Sequence, residues 1–270
     1  MPATGMSADT KFNPESSSVP KVLSPNTSAK DPLQDSHSDS RPIYLVMLPG
    51  LDGTGLMFKP LLAHLPANIT PIVVNYPTSL TLGYAELLPI VLQALPTEAP
   101  FVLLGESFGG PLAMLVATTK PAQLKGLVLC ATFVTCPLPW VPTWLKAWVP
   151  AFPFKLAPRL LKFKRVFGDF ASEEMQQALT TVKPAVLAYR LQQVIGVNMA
   201  DVLSNLELPM LYLQGKRDLL VPSSNMARIK ALQPSMEVAL LDAGHLVLQT
   251  QPGLASMAIQ GFVKRHKLNT

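Results

Sequence analysis

The stretch FVLLGESFGGPLAMLVATT (residues 101–119) joins an apolar run to a helix-length segment through the pattern Gly-x-Ser-x-Gly. Two explanations fit this pattern. It is either a tight turn whose glycines permit close packing, or a strand-to-helix turn that projects the hydroxyl of Ser107. The second explanation requires a buried strand before the motif and a helix after it. Both flanks meet that requirement, so we predict a strand over 101–106, a helix over 108–119 and a nucleophile at Ser107.

Five further segments share the continuous apolar character of residues 101–106. They are IYLVMLP (43–49), ITPIVVNYP (69–77), LKGLVLCATF (124–133), LPMLYLQG (208–215) and MEVALLDAG (236–244). Such runs are typical of strands that are buried on both faces of a parallel sheet. The helix-length segments that separate them are 56–65, 84–95, 108–119, 222–232 and 252–266. Strands alternating with helices predict the α/β class, with a mostly parallel sheet of about six strands flanked by helices.

Two regions depart from this alternation. Residues 1–40 contain nine serines, five prolines and one aromatic residue, Phe12. They carry too little apolar surface to offset the entropy cost of ordering, so we predict a disordered tail over 1–40 and a domain over 41–270. Residues 134–205 are rich in proline at first and helical in pattern afterwards. They predict a helical lid inserted at the carboxyl edge of the sheet.

A nucleophilic serine needs a base to take its proton and an acid to orient that base. In a strand-turn-helix arrangement of this kind, the acid and then the histidine follow the serine along the chain. Only His245 follows the last predicted strand. The other histidines lie in the tail, at the end of the first predicted helix and near the C-terminus (His37, His64 and His266). His245 is therefore the candidate base.

The candidate acid is Asp218, which follows strand 208–215 in the sequence QGKRDLLVP. Its alternative role is to cap a turn or the next helix. Asp242 is the rival, but it is predicted to lie on the last strand, only three residues before His245. Asp201 falls within the helical insertion.

The negative charge that develops on the substrate carbonyl needs N–H donors aimed at it. The backbone N–H of Phe108, directly after the nucleophile, is the first candidate. The loop LPGLDGTG (48–55) follows the first strand, and by position Leu51 supplies the second N–H. A glycine-rich loop could instead bind phosphate, but this one has neither the Gly-Lys-Ser/Thr ending of a P-loop nor the spacing of a dinucleotide motif. Asp52 is expected to cap the loop or the helix after it.

Composition and charge exclude several classes of protein. Apolar residues make up 49% of the chain and charged residues 14%, which is enough to bury a large core. No apolar run reaches the roughly 18 residues of a spanning helix, and no signal-peptide pattern is present. Two cysteines, Cys130 and Cys136, do not predict a disulfide framework, so we expect a cytoplasmic location. The mild net charge of +5 predicts no nucleic-acid partner, and no spacing predicts a metal or cofactor site.

Together these motifs resemble the α/β-hydrolase superfamily over residues 41–270. The segments GESFGG, GKRDLLVP and DAGHLVLQTQP match its nucleophile, acid and histidine in order and spacing. The loop LPGLDGTG resembles that of a subgroup of small bacterial esterases and of the hydrolase-like part of plant phytyl-ester-forming enzymes. The resemblance implies cofactor-free ester hydrolysis through an acyl-enzyme on Ser107. Acyltransferases and thioesterases use the same acyl-enzyme and remain alternatives, while serine in place of aspartate argues against a dehalogenase.

The first half of the insertion has an unusual charge pattern. Residues 133–168 contain no acidic residue; their basic residues are Lys146, Lys155, Arg159, Lys162, Lys164 and Arg165, and their tryptophans are Trp140, Trp144 and Trp148. One interpretation is a lid whose aromatic side chains cover the site and whose basic residues are solvated. The other is a docking surface for a membrane or an acyl carrier protein. The second partner is suggested by a resemblance to the carrier-protein methyl esterase of biotin synthesis.

Overall fold

A computed structural model describes residues 42–140, 142, 144 and 173–269 of the chain. The tail predicted over 1–40 and residues 145–172 of the predicted lid lie outside the described residues. So do the six basic residues and Trp148 of the proposed docking surface.

Six strands form one sheet, as the apolar runs predicted. They are β1 (Ile43–Leu48), β2 (Ile69–Val73), β3 (Phe101–Glu106), β4 (Leu124–Cys130), β5 (Met210–Gly215) and β6 (Glu237–Leu241). Their order across the sheet is β2-β1-β3-β4-β5-β6, and every neighbouring pair is parallel. The predicted α/β class with a parallel sheet of about six strands is confirmed.

Three strands end at least three residues earlier than their apolar runs do. The runs predicted for β2, β4 and β6 extend three or four residues beyond the last paired residue. The extra residues leave the strand ladder yet stay in the core, since Val74, Phe133 and Ala243 are all buried. An apolar run therefore indicates that its residues are buried, and it does not show where strand pairing ends.

Helices separate the strands, and three of them lie in the described part of the insertion between β4 and β5. They are α1 (Lys59–Leu62), α2 (Tyr84–Gln93), α3 (Gly109–Thr118), α4 (Glu173–Thr181), α5 (Pro184–Gly196), α6 (Ala200–Ser204), α7 (Ser223–Leu232), α8 (Val247–Thr250) and α9 (Pro252–Arg265). The segment predicted as one helix over 56–65 is a 3-10 turn, Leu56–Phe58, followed by the short α1. The patterns did not predict α8. Among the described residues, no helix is long and apolar enough to cross a membrane.

The sheet is covered on both faces, which explains its continuously apolar strands. Along β3, Phe101 and Leu103 pack in one core with α2, α3 and α7, while Val102 and Leu104 pack in the other with α1, α8 and α9. Successive side chains of a strand point to opposite faces, so each face needs its own apolar set.

Parallel strands bring all their carboxyl ends to one edge of the sheet. The chain runs from β1 outward to β2 and then returns to β3 on the other side of β1, so the connections diverge between β1 and β3. In open α/β sheets, such a divergence leaves a crevice in which ligands bind. The loops that carry Leu51 and Ser107 lie at this point, directly after β1 and β3.

Candidate active site

Ser107 occupies a strained turn at the end of β3. Its φ is 50°, in the left-handed region that residues with a side chain rarely adopt. The flanking glycines are needed for close approach. A Cβ at Gly105 would lie 2.6 Å from the carbonyl oxygen of Gly109, and a Cβ at Gly109 would lie 2.4 Å from that of Leu48. Strain of this kind persists only where its surroundings impose it, and it concentrates at functional sites.

Hydrogen bonds from neighbouring strands hold the turn in place. The N–H of Ser107 donates to the carbonyl of Cys130 at 2.9 Å, and the Thr132 hydroxyl donates to the carbonyl of Ser107 at 2.6 Å. Thr132 is held in turn by the buried Tyr212, whose hydroxyl accepts from the Thr132 N–H at 2.9 Å and donates to its carbonyl at 2.6 Å. The turn at Ser107 is therefore anchored to the end of β4 and, through Tyr212, to β5.

The loops after β3, β5 and β6 bring the three predicted catalytic side chains together. The Nε2 of His245 lies 3.0 Å from the Oγ of Ser107, and its Nδ1 lies 2.9 Å from the Oδ2 of Asp218. The His245 side chain is 11% exposed, and that of Asp218 is fully buried. A histidine bonded on one nitrogen to a hydroxyl and on the other to a carboxylate has the geometry of a general base.

Asp218 is oriented by its own loop. Its second oxygen, Oδ1, accepts hydrogen bonds from the N–H groups of Leu220 and Val221 at 2.9 and 2.8 Å. The rival acid, Asp242, is exposed and forms an ion pair with Arg217 instead. The structure thus places Asp218, and not Asp242, against His245.

The two predicted N–H donors border the same pocket as Ser107. Leu51 and Phe108 both line it, and a Cβ on Gly50 would lie 3.8 Å from the Ser107 Cβ. Within the described part of the chain, neither N–H donates to a protein acceptor. Asp52 caps the loop, as expected, by accepting from the Thr54 N–H and hydroxyl at 2.8 and 2.5 Å.

Arg190, on α5, is a residue that the sequence patterns did not single out. Its side chain is fully buried, and it donates to the carbonyls of Leu51 and Asp52 at 2.9 and 2.8 Å and to that of Pro77 at 2.9 Å. Its guanidinium also lies 5.4 Å from the Tyr76 ring centroid. A planar guanidinium with several donors suits a set of fixed carbonyls. Arg190 therefore ties the insertion to the loop that carries Leu51.

We expect Arg190→Met to lower kcat for ester hydrolysis by about 100-fold, because a shift of the Leu51 loop by about 1 Å misaligns its N–H. KM should change far less, and Arg190→Lys should restore part of the lost kcat. Steady-state kinetics well below the Tm of each variant measure this. The matched control is Gln233→Met, because Gln233 is also buried and donates to two carbonyls, those of Leu203 and Leu206, away from the site. A loss of Tm without loss of kcat in Arg190→Met would make Arg190 structural only.

The pocket above Ser107 has a volume of about 310 Å³ and mostly apolar walls. The insertion contributes several of its wall residues, among them Met175, Leu179 and Leu191. Two acidic residues, Asp52 and Glu106, line the pocket, and Glu106 is only 5% exposed. Burial raises its pKa to about 7, while a hydrogen bond from Gln249 acts in the opposite direction. Among the described residues, no group of His, Cys, Asp and Glu side chains could hold a metal ion.

Comparison with known proteins agrees with this architecture. Pimeloyl-[acyl-carrier protein] methyl ester esterase of Xylella fastidiosa (strain 9a5c) is 26% identical over 252 residues, covering 81% of this chain and 94% of that protein. Poly(3-hydroxyalkanoate) depolymerase of Ectopseudomonas oleovorans is 27% identical over 180 residues, covering 61% of each. The crystal structure of the enol-lactonase from Burkholderia xenovorans LB400 matches with a TM-score of 0.69 at 16% identity, covering 85% of this chain and 94% of that one. Residues 45–256 match the model of the alpha/beta hydrolase family, and the chain belongs to that family.

Proposed function

We propose that this protein is a serine hydrolase that cleaves carboxylic esters through an acyl-enzyme on Ser107. The observation that carries the proposal is the continuous chain of hydrogen bonds from Ser107 through His245 to Asp218, 3.0 and 2.9 Å long, beneath an apolar pocket. The names of two relatives, an esterase for a methyl ester and a depolymerase for a poly(3-hydroxyalkanoate), support the same class of reaction.

In the acylation step, the Oγ of Ser107 attacks the ester carbonyl while the Nε2 of His245 takes the hydroxyl proton. Asp218 keeps Nδ1 protonated and stabilises the positive charge that forms on the imidazole. The carbonyl oxygen becomes an oxyanion, and the N–H groups of Leu51 and Phe108 are the donors assigned to it. When the tetrahedral intermediate collapses, the bond to the alcohol oxygen breaks and His245 returns the proton to the leaving alcohol.

In the deacylation step, His245 takes a proton from water, and the resulting hydroxide attacks the acyl carbonyl. Collapse of the second intermediate releases the carboxylic acid and returns the proton to Ser107. An alcohol in place of water would yield a new ester by the same route. Hydrolysis and acyl transfer therefore differ only in the acceptor.

The pocket supports an apolar acyl chain as the substrate. Burying one methylene group is worth about 0.8 kcal/mol, which corresponds to roughly a fourfold gain in kcat/KM per added carbon until the pocket is full.

The proposed partner, a membrane surface or an acyl carrier protein, is supported by Trp140 and Trp144, which are 74% and 69% exposed at the start of the basic segment. The cytoplasmic location that we propose is supported by two unpaired cysteines, Cys130 and Cys136.

The test is a series of nitrophenyl esters from acetate to octanoate. We expect kcat/KM to rise several-fold per step and then level off as the pocket fills. In parallel assays, a long-chain alcohol is added as acceptor, or the acyl group is presented in anionic vesicles or on an acyl carrier protein at low and high salt. Salt-sensitive acceleration by one of these supports that partner, because exposed charges are screened over about 8 Å at physiological ionic strength.

Formation of the long-chain ester in preference to the free acid would make the protein an acyltransferase. A wild-type protein that turns over none of these esters would contradict the proposed function.

A further inference from the structure

A pair of polar side chains, Glu106 and Gln249, lies in the wall of the otherwise apolar pocket. Glu106 ends β3 directly before Ser107, and Gln249 lies on α8, four residues after His245. The two side chains are 5% and 4% exposed, and both line the pocket. The Nε2 of Gln249 donates to Glu106 Oε1 at 2.9 Å and to the carbonyl oxygen of Met57 at 3.2 Å.

These two bonds use both hydrogens of the Gln249 amide, so when Glu106 is ionised the pair has no donor left to offer. It does have unused acceptors. The Oε1 of Gln249 is buried without a partner, and no described residue donates to the Oε2 of Glu106. Leaving a buried acceptor unsatisfied costs about 1–3 kcal/mol, so such groups are normally paired. An unpaired acceptor on a residue that lines a binding pocket is therefore a place to which a ligand can bring a donor.

The remaining polar side chains of the pocket are already engaged. Asp52 accepts from Thr54, while Ser107 and His245 are bonded to each other. The Glu106–Gln249 pair is thus the polar feature of this pocket that keeps acceptor atoms to which no described residue donates.

We propose that the Glu106–Gln249 pair binds a hydroxyl group of the substrate, and that the protein selects esters bearing a hydroxyl a few bonds from the ester carbonyl. This inference rests on the proposed function. The short separation between hydroxyl and ester carbonyl follows from the sequence, since Glu106 directly precedes the nucleophile Ser107. A hydroxyl offers one donor, and the Glu106 carboxyl can accept it without leaving any other polar hydrogen in the pocket.

An ammonium group fits these surroundings less well. It carries three donors, whereas the pair offers at most two free acceptors and the adjacent walls are apolar. An unsatisfied N–H of a charged group is costly in such an environment.

The experiment compares matched nitrophenyl esters: hexanoate, 2-hydroxyhexanoate, 3-hydroxyhexanoate and 3-aminohexanoate. A hydrogen bond to a charged group is worth about 1.5–3 kcal/mol, so we expect one hydroxy ester to exceed hexanoate by about 10- to 100-fold in kcat/KM. Glu106→Gln should reduce this ratio to below about threefold. The new side-chain amide must keep its oxygen toward Gln249, so its NH₂ group, and no longer an acceptor oxygen, faces the pocket. Taking the ratio within one variant cancels general effects on catalysis. Asp52→Asn is the matched control: it changes a pocket carboxyl that already has a donor, and it should leave the ratio unchanged.

Binding provides a readout that does not depend on turnover. In a Ser107→Ala background, calorimetry should show the preferred hydroxy ester binding about 10- to 100-fold more tightly than hexanoate, and Glu106→Gln should remove the difference. Absence of turnover together with this difference in affinity would refute the proposed function but not the hydroxyl site. Equal affinities and equal rates for hydroxy and plain esters would overturn the inference, as would a preference for the amino ester.

Discussion

Replacing Ser107 by alanine is expected to lower kcat for ester hydrolysis by about 10⁴- to 10⁶-fold with little change in Tm. The substitution removes the atom that forms the acyl-enzyme, and Oγ makes a hydrogen bond only to His245 among the described residues. His245→Ala should cost a comparable factor, because the hydroxyl then has no base. Nucleophile and base act as a unit, so the double variant should be little slower than either single one.

The measurement is steady-state hydrolysis of a nitrophenyl ester, with Tm determined for each variant. His64→Ala is the matched control, since His64 is an exposed histidine whose Nδ1 contacts the carbonyl of Pro60 and which does not line the pocket at Ser107. We expect its kcat to stay within twofold of the wild type. Wild-type turnover by Ser107→Ala would require a different nucleophile and would end the proposed mechanism.

Local sequence patterns were sufficient to predict that Ser107, His245 and Asp218 lie close together. Each one follows a strand whose apolar run is easy to recognise, and parallel strands bring their carboxyl ends to one edge. The turn at Ser107 was also readable, because two glycines mark the places where backbone approaches backbone. The same patterns overestimated β2, β4 and β6, since an apolar run continues wherever the chain stays buried, as at Val74 and Phe133.

Contacts between distant segments could not be predicted in this way. Arg190 meets the carbonyl of Leu51 across 139 positions, and Tyr212 meets Thr132 across 80. Nothing in the sequence near Arg190 or Tyr212 indicates these partners. Glu106 stood inside the quoted motif, yet its hydrogen-bond partner, Gln249, lies on α8, a helix of four residues whose pattern was too short to detect.

Arg190 gives the insertion a second role in addition to lining the pocket. The guanidinium holds the carbonyls of Leu51 and Asp52 from α5, while other residues of the same helix, such as Leu191 and Val194, line the pocket. A displacement of α5 would therefore change the pocket wall and the Leu51 loop together. The pocket wall and the loop of Leu51, the proposed oxyanion donor, thus share one support.

Asp218→Asn is expected to lower kcat by about 10⁴-fold while leaving Tm nearly unchanged, and the reason lies in the hydrogen bonds on the other carboxyl oxygen. The N–H groups of Leu220 and Val221 both donate to Oδ1. An asparagine must keep its carbonyl oxygen there, so its NH₂ group faces His245. Nδ1 then becomes an acceptor, the ring proton moves to Nε2, and the imidazole can no longer take the proton of Ser107.

Asp242→Asn provides the matched control for this prediction, because it makes the same chemical change at the rival carboxylate. Asp242 is solvent-exposed and its partner is Arg217, so the loss of this surface ion pair should cost no more than about 1 kcal/mol of stability and less than twofold in kcat. Parallel kcat and Tm measurements on the two variants separate the assignments. If Asp242→Asn lost as much activity as we expect of Asp218→Asn, while Asp218→Asn stayed active, the acid would be Asp242. A large loss of Tm in Asp218→Asn would instead show that its loop depends on the charge, since both backbone hydrogen bonds can persist with an amide oxygen.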